Sequence, residues 1–439
     1  MNYRMSFLCG CILILLFGFG FNSKENQRPY TIINFGATAN DTTLDTEAIQ
    51  KAIQSCYDNG GGTVYIPAGK FISGTLTLKS QVSIHLAAGA ILQASTSLSD
   101  YTGEKPSFIR GEDLQNLSIS GDGIIDGAGD TFWDEDYKAL ERPEPWIRLT
   151  NCQNMTIEGV LFRNSPSHTI RLEKSENVKF RGISIINPFF GPNTDGIDLV
   201  DSKNIMISDS FISTGDDAIC LKSRRDTVES IVVNNCVLES DDAAIKFGTG
   251  SYVATRFCSF SNIVIRKTRY GISLFMLDGG VFEHNNFTNL IIENDSRHRY
   301  EYPIFIDVDK RVPDRAYGMI RNNSFSNIKI ISDGKILVSG HPESHIKNLT
   351  FSNITFHAST ETDFSGAKKP RGNKNYPKLE TSIDLAARQA YFTLGYIDDV
   401  LMKDITLYTS GHSLRKEFYT EEVTVFEKDN FKTIDGSWE

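Results

Sequence analysis

No two cysteines of this 439-residue chain form a CxxC pair. Without that element a zinc site has no support, and the residues imply neither metal nor cofactor. Positive charge is also scarce: 45 Lys and Arg stand against 55 Asp and Glu, a formal charge of −10. A phosphate backbone wants a basic face, so nucleic acid is excluded as a partner, and an acidic polysaccharide would need cations gathered locally. Long apolar runs are confined to the opening MNYRMSFLCGCILILLFGFGFNS, where an Arg-bearing start precedes an apolar stretch from Met5 to about Phe21. The stretch is short for a membrane span and no stop-transfer pattern follows it. Residues 1–22 therefore read as a secretory signal, and 23–439 as a single domain that is secreted or periplasmic, monomeric and without stable membrane insertion. Cys9 and Cys11 lie too early for a lipid-modified cysteine, and the remaining five, Cys56, Cys152, Cys220, Cys236 and Cys258, read as small buried hydrophobes. One disulfide is compatible with export, but its pairing is not assigned.

Helical periodicity is sparse too. From Leu44 to Cys56 the residues Ala48, Ile49, Ala52, Ile53 and Cys56 share one helical face, and a Gly run at 60–62 ends it. Short alternating strands follow without a second helix, which excludes an alternating α/β fold. What the chain has in abundance is a repeat. Asn or Ser followed by alternating apolar residues recurs at Asn154, Asn177, Asn204, Ser230, Asn262 and Asn289, in steps of 23, 27, 26, 32 and 27. A second series, Ile147, Ile170, Ile197, Ile219, Ile245 and Ile272, interleaves with it. Two strand series at one shared period predict a coil with stacked rungs, an all-β parallel β-helix capped at its open N-terminal end by the helix at 44–56. The polar, Gly/Pro-rich residues 360–380 read as a surface loop before a last strand pair near Tyr391 to Leu407. Asn-x-Ser/Thr triplets such as those at Asn116, Asn154 and Asn348 fall on the repeating Asn, whose side chain is expected to bond neighbouring backbone rather than carry sugar.

Within that repeat Asp195 stands two residues before Ile197, and Asp217 two before Ile219. Parallel stacking sets them about 4.8 Å apart, with Asp216 alongside. Like charges that close raise one another's pKa, so at least one holds a proton near neutrality, which is what acid/base hydrolysis requires. Asp198 and Asp201, taken singly, read as turn residues.

The segments NSPSHTIRL, NPFFGPNTDGIDL and GDDAICLKS, with the GDD following NTDG by 21 residues from Asp195 to Asp216, resemble the pectin-degrading polygalacturonases of glycoside hydrolase family 28. The opening NFGATANDTTLDTEAIQKAI and GGTVYIPAGKF are similar to that family's N-terminal signature. The resemblance implies a right-handed coil, a polysaccharide substrate and inverting hydrolysis. Asp216 matches the general acid, Asp195 and Asp217 the pair that holds the attacking water, and Asn193 a residue orienting the Asp195 loop. Gly196 and Gly215 would let the backbone turn. Inverting enzymes place acid and base roughly 6.5–9.5 Å apart, so the carboxyl groups are expected to splay.

Two of the family's motifs are missing. Ala243 stands where its His would be, and Ser273 and Phe275 where its Arg-x-Lys would be. Lys222 and Lys246 on neighbouring rungs, and Arg224, Arg225, Arg256, Arg266, Lys267 and Arg269 in following turns, are candidate substitutes. His168, one rung before Asp195, and Asp242, one rung after Asp216, are further candidates for substrate binding. A Ca²⁺-dependent polysaccharide lyase and a non-catalytic carbohydrate-binding β-helix are the competing readings.

Overall fold

The computed structural model describes residues 30–358, 360, 362–369, 379, 381–410 and 413–436. The expected signal, residues 1–22, lies outside the described residues, as do 370–378 of the expected surface loop. No helix among the described residues is long and apolar enough to cross a membrane.

The chain winds into a right-handed parallel β-helix: apart from isolated bridges, every strand pairing among the described residues is parallel. Period-two alternation drives it, because strands such as Ile147–Thr150 and Ile170–Glu173 bury every other residue and leave the rest partly exposed. The isoleucine series stacks as expected: Ile147, Ile170, Ile197, Ile219, Ile245 and Ile272 are each the partner of the next. One helix, Thr46–Asp58, buries Ala48, Ile49, Ala52, Ile53 and Cys56 against the first rung. All five described cysteines are buried and free.

The asparagine series turns out to be two series. Asn154, Asn177, Asn204 and Ser230 all sit at positive φ, 54 to 58° across the corner, and the next residue on that corner is Phe257 rather than Asn262. Asn262 belongs to a second corner, stacked on Asn235 and followed by Asn289, Asn327 and Asn353. The left-handed conformation explains the merging: both corners need a residue that tolerates it, and Asn does so best after Gly. Nor do these side chains bond backbone as expected. They bond one another from rung to rung, as Asn289 Nδ2 to Asn262 Oδ1 at 3.2 Å and Asn353 Nδ2 to Asn327 Oδ1 at 2.8 Å.

The C-terminal part also departs from the expectation. The coil closes on two long strands, Ala390–Thr409 and Lys416–Asp435, the second of which is largely exposed and rich in charge. Charge on a terminal edge discourages further strand addition. Residues 362–369 and 381–389 do not form a simple surface loop. Phe364, Ala367, Leu385 and Ala386 are buried against Tyr270, Phe275, Tyr302 and Phe305, and Lys369 reaches inward to Asp307. The apolar residues in a polar stretch carry the packing, and overall polarity hid them.

Candidate active site

The outward-facing residues flanking the isoleucine series form three rows. One runs His168, Asp195, Asp217, Ala243; the next Arg148, Arg171, Asp198, Cys220, Lys246, Ser273; the third Glu173, Val200, Lys222. Local packing fixes the loop that carries Asp195. Asn187, buried beneath it, accepts from the Ser165 N–H at 2.9 Å and donates to Thr169 Oγ1 at 2.8 Å and the Thr194 carbonyl at 3.2 Å. Thr194 Oγ1 accepts from the Gly215 N–H at 3.1 Å and so ties the two acidic loops together. Gly196 and Gly215 serve close approach, not a positive-φ turn as expected. A Cβ at Gly196 would lie 2.4 Å from the Ala218 carbonyl oxygen, and one at Gly215 2.5 Å from that of Gly191.

Asp195, Asp216 and Asp217 converge, one oxygen of each lying within 4.8 Å of the other two. At these oxygens the three groups lie closer than the separation usual for inverting enzymes. Asp195 and Asp217 are buried, whereas Asp216 keeps the group in touch with solvent. Burial pushes all three upward from the usual carboxylate range, reinforced by their mutual repulsion, and takes Asp217 to about 8. Asn193 donates from Nδ2 to Asp216 Oδ2 at 3.1 Å, so it positions Asp216 directly and not the Asp195 loop.

Lys246 Nζ lies 2.8 Å from Asp217 Oδ2 and 3.4 Å from Asp242 Oδ2, while Lys222 Nζ lies 3.0 Å from Asp198 Oδ1 and 3.9 Å from Asp195 Oδ2. Asp242 is also 3.6 Å from Arg269. Both lysines, expected to grip substrate, are thus counter-ions within the site. Of the other candidate cations, Arg256, Arg266 and Lys267 pair with Glu229, Glu293 and Glu239, and Arg224 and Arg225 are exposed in their turn. His168 is close to Glu144, Asp195 and Asp198, at 3.6, 3.7 and 3.9 Å. Burial drives its pKa down to about 3 despite Asp198, so the imidazole is neutral.

Asp198 is not a turn residue. It is fully buried, accepts from Arg171 Nε and Nη2 at 3.1 and 2.7 Å, and is held below the usual range by Lys222 and Arg171 against the cost of burial. Its place beside Arg171, one rung earlier in the stacked series, is the sequence feature that points to an ion pair. Asp201 does bond turn backbone, accepting from the Arg224 and Arg225 N–H groups at 2.6 and 2.9 Å, although the turn is that of the next rung. Arg142 gave no sequence signal at all. It arrives from the 127–146 loop, donates to Asn193 Oδ1 at 3.2 Å and to the Pro166 carbonyl at 2.8 Å, and pairs with Glu144 at 3.4 Å. In the same loop Tyr137 forms an exposed aromatic pair with Phe190, ring centroids 4.1 Å apart.

The model for Glycosyl hydrolases family 28 matches residues 56–238, the stretch that holds all three converging aspartates. A "Probable polygalacturonase" of Vitis vinifera is 33% identical over 215 residues, 44% of each chain, so that match takes in less than half of the grape protein. "Polygalacturonase QRT2" of Arabidopsis thaliana is 26% identical over 374 residues, 79% of this chain and 82% of that one. Among solved structures, a hyperthermoactive exopolygalacturonase from Thermotoga maritima superposes with a TM-score of 0.67 at 22% identity, over 76% of this chain and 87% of its own. That likeness concerns the coil, while the family match rests on the stretch that builds the site. Over residues 56–238 the chain is similar to glycosyl hydrolase family 28.

Proposed function

We propose that this chain is an exported glycoside hydrolase, one catalytic β-helix over residues 23–439, that cleaves a pectic or related acidic polysaccharide by acid/base hydrolysis. The convergence of Asp195, Asp216 and Asp217 carries the reading. Asp195 and Asp217 each face an ammonium, Lys222 at 3.9 Å and Lys246 at 2.8 Å, which favours their ionised forms. Asp216 makes no ion pair among the described residues and is the member nearest solvent, so it is the one placed to pass a proton to the leaving oxygen, while the proton that burial and repulsion keep on the group is shared by all three. The relatives named polygalacturonases support the same substrate class.

In the inverting form Asp195 and Asp217 hold and deprotonate water as Asp216 protonates the leaving oxygen. A retaining double displacement is the second reading, favoured by one observation: oxygens within 4.8 Å come closer to the roughly 5–5.5 Å of retaining enzymes than to the inverting separation. A Ca²⁺ lyase fits less well, because the ammonium of Lys246 already occupies the Asp217 side of the carboxylate group, where the cation would bind. Polysaccharide turnover followed by NMR tests all of this. Inverted product with Asp216→Asn at least about a thousandfold slower is expected. Retained anomer selects the second mechanism, an unsaturated product selects the lyase, and full turnover by Asp216→Asn ends the hydrolase reading.

A further inference from the structure

Among the described residues the cations nearest the three aspartates each have a carboxylate partner: Lys222 and Arg171 pair with Asp198, Lys246 with Asp217, Arg142 with Glu144 and, through a long 3.6 Å contact that leaves its buried Nε without a hydrogen bond, Arg269 with Asp242. One rung beyond Lys246 the same row holds Ser273, fully buried, and then Phe305 beneath the 362–369 and 381–389 segments. Among the described residues this row holds no cation beyond Lys246 on that side.

In the opposite direction the row becomes basic. Arg171 is in register with Arg148, and Arg148 with Arg110. Between these rungs and the neighbouring loop lies an open cavity of about 510 Å³, lined by Lys79, Lys105, Arg110 and Arg148 against Glu104 and Glu112. On a chain whose formal charge is −10, this local excess of positive charge runs against the whole. Arg110 is held by neutral groups only: its Nε donates to Thr77 Oγ1 at 3.0 Å and its Nη1 to the Thr102 carbonyl at 3.0 Å. That fixes the guanidinium without neutralising it. Arg148 has one long contact, Nη2 to Glu173 at 3.4 Å, and its buried Nε has no hydrogen-bond partner.

We infer that this cavity is an anion subsite for the polysaccharide, binding a carboxylate or sulfate on a sugar removed from the bond being cleaved. Arg148 and Arg110 lie two and three rungs from Asp198, about 10 and 14 Å at the parallel-strand spacing. The inference rests on the hydrolase reading and adds to it a specificity: the sugars at the scissile bond are recognised without a cation, and the acidic group is read farther along the chain.

Calorimetric binding of hexagalacturonate and of its carboxyl-reduced counterpart to the full chain tests it, with Asp216→Asn as host to keep the ligand intact. Arg110→Gln and Arg148→Gln are each expected to weaken hexagalacturonate binding by about tenfold, to flatten its dependence on salt, and to leave the reduced ligand unaffected. Arg148→Lys should restore part of the loss. Lys105→Glu, at an exposed position, should weaken binding without any effect on folding. Equal loss for both ligands, no loss in either arginine variant, or no binding of hexagalacturonate by the host would overturn the subsite. Those results leave the hydrolase reading standing, because that reading falls with full turnover by Asp216→Asn or with an unsaturated product.

Discussion

Holding a buried carboxyl group near neutrality makes the fold pH-sensitive in a definite direction. Asp217 moves from an ordinary 3.8 to about 8 on folding. Between those values the folded chain binds more protons than the unfolded one, so each rise in pH favours unfolding. At 1.36 kcal/mol per unit, the passage from pH 5 to pH 8 removes up to about 4 kcal/mol through this residue, and about 2–4 kcal/mol once the field it shares with Asp195 and Asp216 is allowed to redistribute the proton. Asp217→Asn cannot ionise. It also leaves Lys246 with only Asp242, at 3.4 Å, a cost that is constant over this window because the ammonium, raised further by its acidic neighbours, stays charged throughout. The constant offset cancels in the difference between two pH values. Urea unfolding followed by circular dichroism at pH 5 and pH 8 should therefore show the wild type losing about 2–4 kcal/mol more than the variant across the interval. Parallel pH profiles for the two proteins would refute the argument, since they would mean that Asp217 titrates as it does in the unfolded chain.

Three further outcomes follow from the geometry. Asp278 accepts from both Arg311 Nη2 and the Gly250 N–H while almost fully buried, so Asp278→Ala should cost about 3–5 kcal/mol, read as a lowered urea midpoint. Asn289 sits at φ 56° in a corner ladder, so Asn289→Ala should cost about 1–2 kcal/mol and Asn289→Gly much less, in the same assay. Tyr137 and Phe190 present paired rings to solvent from the loops that also carry Arg142 and Asn193, and replacing either with Ala should raise KM on polymer about fivefold with kcat little changed, as expected for loss of a stacking surface.

The coil was legible because its physics is periodic. Each rung must point one residue in two inward, and Ile147 through Ile272 record that demand at positions that can be counted. The acidic group was legible for the same reason, since Asp195 and Asp217 hold a fixed offset from that series. Where the physics is conformational and not hydrophobic, counting misled: both corners select Asn for the same positive φ, so Ser230 and Asn262 looked like one step. Contacts made by loops left no periodic trace. Arg142 meets Asn193 across 51 residues, and Lys369 meets Asp307 across 62, each from a stretch whose polarity suggests only solvent. The strand Lys416–Asp435 escaped because it has almost no buried side to alternate with.

Stacked rungs also explain why the lysines cannot do what their positions suggested. A solenoid places identical rows one strand spacing apart, so acidic residues in neighbouring rungs repel unless a cation is set between them. The chain solves this twice with the same diagonal step. Lys222 lies one rung past Asp198 and one row over, and Lys246 lies one rung past Asp217 and one row over. Each ammonium is thereby spent on a carboxylate that would otherwise be buried uncompensated, and drawing either toward substrate would expose that cost again. Continued one rung farther, the diagonal reaches Ser273 and Phe275, where there is no carboxylate in the preceding rung's row to balance, because Ala243 stands there. Ala243 and Ser273 thus fall on one diagonal that carries neither carboxylate nor cation, and recognition of a charged substrate is left to the rungs that hold Arg148 and Arg110.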